Sequence, residues 1–179
     1  MSANIEIKAR IGNIRRLRAA LRAIGAEIIE TVKQEDTFFA VPRGRLKMRR
    51  NGSDNFELVY YRRPNAPGPS VSNYFRKPID DAEGAKRDLE RLFGIRCVVR
   101  KNRQVFLSHG ARIHLDDVEG LGRYLEVEVP VERKRDLHRA MRVAQDLILQ
   151  LAVQTPDLVS EAYEELLCNQ RAHSATEER

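Results

Sequence analysis

Four segments of the chain alternate strictly between apolar and charged residues, and each gathers its charges on one face. In "IEIKAR", Ile5, Ile7 and Ala9 oppose Glu6, Lys8 and Arg10, and in "RLKMRR", Leu46 and Met48 oppose Arg45, Lys47 and Arg49. "RIHLD" sets Arg112, His114 and Asp116 against Ile113 and Leu115, while "LEVEV" sets Glu126 and Glu128 against Leu125, Val127 and Val129. A side-chain period of two is that of a β-strand. A single strand of this kind is ordinarily half-solvated, with its polar side in water. Four sharing the habit demand a fold in which one face of a whole sheet can carry charge.

The remaining patterns supply that sheet. Strand-like stretches run over about 3–11, 33–41, 45–51, 55–63, 70–79, 97–108, 111–118 and 123–130, separated by turn signals such as "RNGSDN", "RPNAPGPS" and "SHGA". Helical spacing appears at 14–24, 81–93 and 133–152, and Thr155-Pro156 reads as the start of a last short helix through Ala162, Leu166 and Leu167. Eight antiparallel strands can close on themselves, which removes exposed edges and points one face of every strand inward. The apolar helix faces need a surface to cover, and the apolar strand faces offer it. The expected fold is therefore α+β: an eight-stranded antiparallel β-barrel with helices packed outside and a charged lumen. One domain is expected over residues 1–170, with 171–179 as a disordered C-terminal tail.

Composition narrows the function. No apolar run approaches the length of a membrane helix and the N-terminus enters directly on a strand pattern, so a cytoplasmic protein with no membrane partner is expected. Cys97 and Cys168 are far apart in sequence and read as reduced, space-filling thiols. The formal net charge of +6 favours an anionic partner. Nucleic acid is disfavoured, because the bases interleave with aliphatic residues rather than with a stacking platform of aromatics.

On the inward face the strands carry the acids Glu6, Asp116, Glu126 and Glu128 and the bases Lys8, Arg10, Arg45, Lys47, Arg49, Lys101, Arg103 and Arg112. Burying so many charges uncompensated would cost several kcal/mol per ion, so the lumen must be wet and take a polyanion. Guanidinium forks and ammonium groups suit a run of phosphates, and carboxylates two strand positions apart, about 6.6–6.8 Å between Cα atoms, suit Mg2+ or Mn2+. His114 could donate to a substrate phosphate, but reads more readily as a satisfied lumen histidine with no catalytic part. No phosphate-binding glycine loop and no persuasive nucleophilic triad is present.

"NIEIK", "QEDTFF", "GRLKMRR", "ELVYYRRP", "VVRKNRQVF" and "RIHLDDVEGLGRYLEVEV", in that order, resemble the CYTH group, also called triphosphate tunnel metalloenzymes. That group includes class IV adenylate cyclases and thiamine triphosphatases. The resemblance implies a triphosphate tunnel with Mg2+ or Mn2+ held by Glu6, Glu126 and Glu128, with Asp116 as a fourth carboxylate. It implies phosphate binding by Lys8, Arg45, Lys47, Arg49, Arg62, Lys101, Arg103 and Arg112, of which Lys8, Arg49 and Arg112 would act on the reacting phosphates. Two positions depart from it. Alternation puts Arg62 on the face of Phe56, Leu58 and Tyr60, so only a bulge would aim it inward. Asn4 stands where the family motif has its first glutamate. The expected activity is that of a class IV adenylate cyclase, ATP going to cyclic AMP and pyrophosphate. A thiamine or inorganic triphosphatase is the first alternative and a non-catalytic polyphosphate or nucleotide binder the second. The expected partner is a small-molecule triphosphate, and a homodimer is left open.

Overall fold

Residues 2–177 are described by a computed structural model, side chains through residue 172. Eight strands form the body: β1 (Ser2–Arg10), β2 (Glu27–Phe39), β3 (Arg45–Asn51), β4 (Asn55–Arg62), β5 (Ser70–Pro78), β6 (Ile95–Ser108), β7 (Ala111–Val118) and β8 (Gly122–Val131). They close into one antiparallel barrel in the order β1-β5-β4-β3-β2-β6-β7-β8. The helices are α1 (Ile14–Ala23), α2 (Ala82–Phe93), α3 (Leu137–Gln150) and α4 (Tyr163–Glu177). None of the described helices is long and apolar enough to cross a membrane.

Local signals set the helix limits. Asn13 accepts from the Arg16 N–H at 3.0 Å, and Asp81 accepts from the Gly84 N–H at 2.8 Å, each satisfying an orphan donor of a first turn. Gly25 and Gly94 end α1 and α2 with φ of 63° and 72°, a left-handed conformation that costs glycine nothing.

The main core lies outside the barrel. Ile5, Ile7, Ile113, Leu125 and Val127, from the apolar faces of β1, β7 and β8, pack against Leu17 and Leu21 of α1 and Ala140, Ala144 and Leu147 of α3. Each large aliphatic side chain buried there contributes roughly 1.5–3 kcal/mol. With that face sealed by helices, the charged parity of β1, β7 and β8 is forced into the lumen. A second cluster, with Phe38, Val99, Val118, Tyr124, Tyr163 and Leu167, sits under α4 at one end of the barrel. Cys97 and Cys168 meet there as free thiols.

Three boundaries differ from the sequence pattern. β2 begins at Glu27, not near residue 33, because its first turn of ribbon pairs with β6 as far as Leu107 while Ile28 and Ile29 stay about half exposed. No buried face imposes alternation on that stretch. α3 is preceded by a 3-10 turn, Lys134–Asp136, rather than starting at residue 133. The last helix does not start at Thr155: Pro156 sits in a 3-10 turn, after which Leu158 bridges to Ala9 and the Val159 N–H donates to the Lys8 carbonyl at 2.9 Å. That pairing pulls the chain across the barrel end, and α4 begins only at Tyr163. The helix continues to Glu177, into the stretch read as a tail, of which residues 178 and 179 lie outside the described residues.

Candidate functional site

The lumen holds a cavity of about 220 Å³ lined by eight lysines and arginines and five carboxylates. Its far end is shut by the first turn of α4. Tyr163, 5% exposed, stacks edge-on against Tyr124 with ring centroids 5.1 Å apart and lies under the Lys8 ammonium, 3.8 Å from the ring centroid. At the opposite mouth a bulge in β2 brings both Ile29 and Glu30 to the rim, near Val105, Tyr74 and Arg112.

Two buried aspartates organise the bases. Asp36 faces Arg49 across β2 and β3 and accepts from its Nε at 2.7 Å and its Nη2 at 3.0 Å, and from Lys47 Nζ at 2.8 Å. Burial would raise its pKa, but Arg49 and Lys47 hold the carboxyl well below the usual range. Lys47 is pushed down to about 8, by burial first and then by Arg49 beside it. Asp116 plays the same part for β6: it accepts from Arg103 Nε at 2.7 Å and from Tyr163 Oη at 3.0 Å, and Lys101 Nζ lies 3.4 Å away. Against the cost of burial, Arg103 and Lys101 bring Asp116 to about 2.

The third group of acids lies further toward the mouth. Glu126 contacts Lys8 Nζ at 3.1 Å and pairs closely with Arg103 Nη2. Glu128 accepts from Asn4 Nδ2 at 3.4 Å. Glu6 sits opposite Glu128 in the β1–β8 register, and burial together with the Glu128 charge lifts it to about 7 although Arg63 Nε lies 3.9 Å off. Glu126, Glu128 and His114 each place one donor atom within 4.8 Å of the others. His114 Nδ1 and Asn4 Oδ1, both buried, have no hydrogen-bond partner. Carboxylate oxygens beside unsatisfied polar atoms are a donor set suited to a divalent cation.

Of the residues named from sequence, Glu6, Lys8, Lys47, Arg49, Lys101, Arg103, Arg112, Glu126 and Glu128 line this one cavity. Four are not brought to it. Arg10 is exposed, with its guanidinium over the Tyr124 ring, 5.2 Å from the centroid. Arg62 lies outside, donating to Tyr60 Oη at 2.9 Å, because β4 and β5 pair without a bulge there. Its neighbour Arg63 turns inward instead and donates to the Ser160 carbonyl at 2.7 Å. Arg45 has the right parity but is held by α4, with Nε 3.1 Å from Glu164 Oε1 and Nη2 2.9 Å from Glu165 Oε1. Asp116 does not line the cavity: it is fully buried, bonded to Arg103 and Tyr163, and is not among the donor atoms grouped around Glu128. Sequence reasoning missed Asp36, although "QEDTFF" puts Gln34, Asp36 and Phe38 on one strand face. Tyr163 had no comparable signal.

Comparison with known proteins gives a consistent family. The family model described as the CYTH domain matches residues 2–163. A Methanocaldococcus jannaschii protein named "Putative adenylate cyclase" is 24% identical over 90% of this chain and 97% of its own length. A Pyrococcus horikoshii structure, the PH1012 protein, superposes with a TM-score of 0.81 at 23% identity, covering 91% of this chain and 98% of that one. A Hippeastrum protein, whose structure is titled "Putative adenylyl cyclase HpAC1 from Hippeastrum reveals a dominant triphophatase activity", superposes at 0.62 with 16% identity over 94% and 96%. At these identities the solved structures establish the shared fold.

Proposed function

The chain belongs to the CYTH family, and from that premise we propose that it is a metal-dependent enzyme that hydrolyses a linear triphosphate, releasing orthophosphate from the chain end. The observation that carries this reading is the size and lining of the blind cavity. At about 220 Å³ it is smaller than the roughly 300–1,000 Å³ typical of pockets that enclose a drug-sized ligand. A triphosphate chain fits such a space, and an attached nucleoside would remain at the mouth.

Cyclisation of ATP asks for more. It needs the ribose 3′-hydroxyl held about 3–3.5 Å from the α-phosphorus, hence a pocket that fixes base and sugar. Hydrolysis needs only water. The cavity thus favours hydrolysis over the cyclase reading that the sequence motifs favour. Cyclisation is retained as a second reading because Ile29, Val105 and Tyr74 give the mouth an apolar rim against which a base could lie.

Lys8, Lys47, Arg49, Lys101 and Arg103 would grip the phosphate oxygens through charge-assisted hydrogen bonds, preformed on Asp36, Asp116 and Glu126. Arg63 and Arg112 would hold the part of the chain nearer the mouth. Glu126 and Glu128, with Glu6 opposite, would hold Mg2+ or Mn2+. When bound, the metal neutralises phosphate charge and lowers the pKa of a water. The enclosing walls keep these charges in a low-dielectric setting that strengthens each contact.

Incubation with inorganic triphosphate, thiamine triphosphate and ATP, each with Mg2+ or Mn2+, tests the reading. Orthophosphate from at least one of them is expected. Cyclic AMP and pyrophosphate as the only products would establish the second reading, and tight binding with no turnover of any of the three would identify a binder.

A further inference from the structure

Asn4 in place of a glutamate leaves the β8 carboxylates short of an anionic donor, and a nitrogen donor stands on the neighbouring strand. His114 lies directly opposite Glu126 in the β7–β8 register, and its Nδ1 is 3.8 Å from Glu126 Oε2 and 3.8 Å from Glu128 Oε1. Those distances are too long for hydrogen bonds. They fall between the separations of donors that share one ion at about 2.1 Å, roughly 3.0 Å for neighbouring positions and 4.2 Å for opposed ones, so a small movement of the side chains closes them on an ion. The imidazole is 4% exposed, and its Nδ1 has no hydrogen-bond partner. Asn4 turns its amide nitrogen to Glu128 and leaves its own Oδ1, also without a partner, beside the same carboxylate. A buried ring nitrogen equidistant from two carboxylates and bonded to neither is a ligand in waiting.

We propose that His114 Nδ1 is a direct metal ligand, completing with Glu126 and Glu128 a mixed nitrogen–oxygen site that selects Mn2+ over Mg2+. The inference rests on the reading of the lumen as a metal site and deepens it. An all-carboxylate site serves Mg2+, which keeps oxygen ligands and sheds water reluctantly. An imidazole donor moves the preference toward transition metals, with Mn2+ the first of them to share a taste for carboxylates.

The test is pulsed electron paramagnetic resonance of the full chain with one equivalent of Mn2+, alongside calorimetric titrations with Mn2+ and Mg2+. Wild type is expected to show a directly bound ¹⁴N coupling. In His114→Ala and His114→Gln that coupling disappears, and Mn2+ affinity drops by about tenfold or more while Mg2+ affinity stays within about threefold. Bound Mn2+ without ¹⁴N coupling in wild type, or an unchanged Mn2+ to Mg2+ ratio in both folded variants, overturns the assignment. If neither variant folds, the wild-type spectrum decides. Triphosphate turnover without ¹⁴N coupling defeats this inference and leaves the hydrolase reading intact, whereas coupling without any turnover does the reverse.

Discussion

Asp36 and Arg49 face each other across neighbouring strands and are joined inside the barrel by two hydrogen bonds, Nε to Oδ1 at 2.7 Å and Nη2 to Oδ2 at 3.0 Å. Lys47 completes the cluster on the same carboxylate. One buried acid thus holds in place two of the bases proposed to bind phosphate. Asp36→Asn is expected to destabilise the protein by about 3–5 kcal/mol, since it strands buried cations. Urea unfolding reads this directly. Added tripolyphosphate should stabilise the variant more than wild type by replacing the lost charge, and equal stabilisation would contradict the role given to Asp36.

Arg45 should matter for the end closure rather than for the substrate. It pairs with Glu164, which is 1% exposed and, among the described residues, has no other cation within salt-bridge distance. Arg45→Ala is expected to cost about 3 kcal/mol. Amide exchange should rise through residues 163–172 as α4 loosens, while tripolyphosphate affinity, read by calorimetry, stays within about threefold of wild type. A large loss of affinity with α4 still protected would return Arg45 to the phosphate-binding set.

Arg62 and Arg63 make a matched pair of opposite outcomes. Arg63→Ala is expected to weaken tripolyphosphate binding about ten- to a hundredfold, the worth of one or two charge-assisted hydrogen bonds. Arg62→Ala, on the outer face, should stay within about threefold. The reverse order would show that the chain enters by another route.

Binding should also depend on the charge of Lys47. Its pKa is lowered to about 8 from an ordinary 10.5, so in the free protein it carries its charge below about pH 8. Tripolyphosphate affinity is therefore expected to be highest below pH 8 and to fall as pH rises through that value, approaching tenfold per unit for one coupled proton. For the free protein the sign is opposite: because the folded pKa is depressed, this group favours the folded state increasingly from about pH 8 to 10.5. Lys47→Arg should retain binding above pH 8. If that variant loses affinity over the same range, another group is titrating.

The architecture was legible because it rests on local periodicity. Helices α1 to α3 have apolar faces at a period of 3.6 and the strands alternate at a period of two, so "IEIKAR", "RLKMRR", "RIHLD" and "LEVEV" each declare which side meets the helices. Stretches lacking a one-sided core were not legible. The exposed "EIIETV" has no face to mark it as strand, and Leu158 and Val159 leave helical geometry to pair with Ala9 and Lys8 of β1.

The sequence alone determined that Glu6, Glu126 and Glu128 and the bases Lys8, Lys47, Arg49, Lys101, Arg103 and Arg112 share an interior, since a one-residue slip would turn every apolar side chain away from the helices. Tertiary structure alone decided what each charge does there. Asp36 and Asp116 became clamps for bases, Arg45 was drawn to Glu164, Arg63 took the inward place that Arg62 had been expected to fill, and His114 Nδ1 was left bare beside two glutamates. These roles depend on distances across strands and on a helix more than a hundred residues away, and Coulomb energies follow separation and burial in space rather than order along the chain.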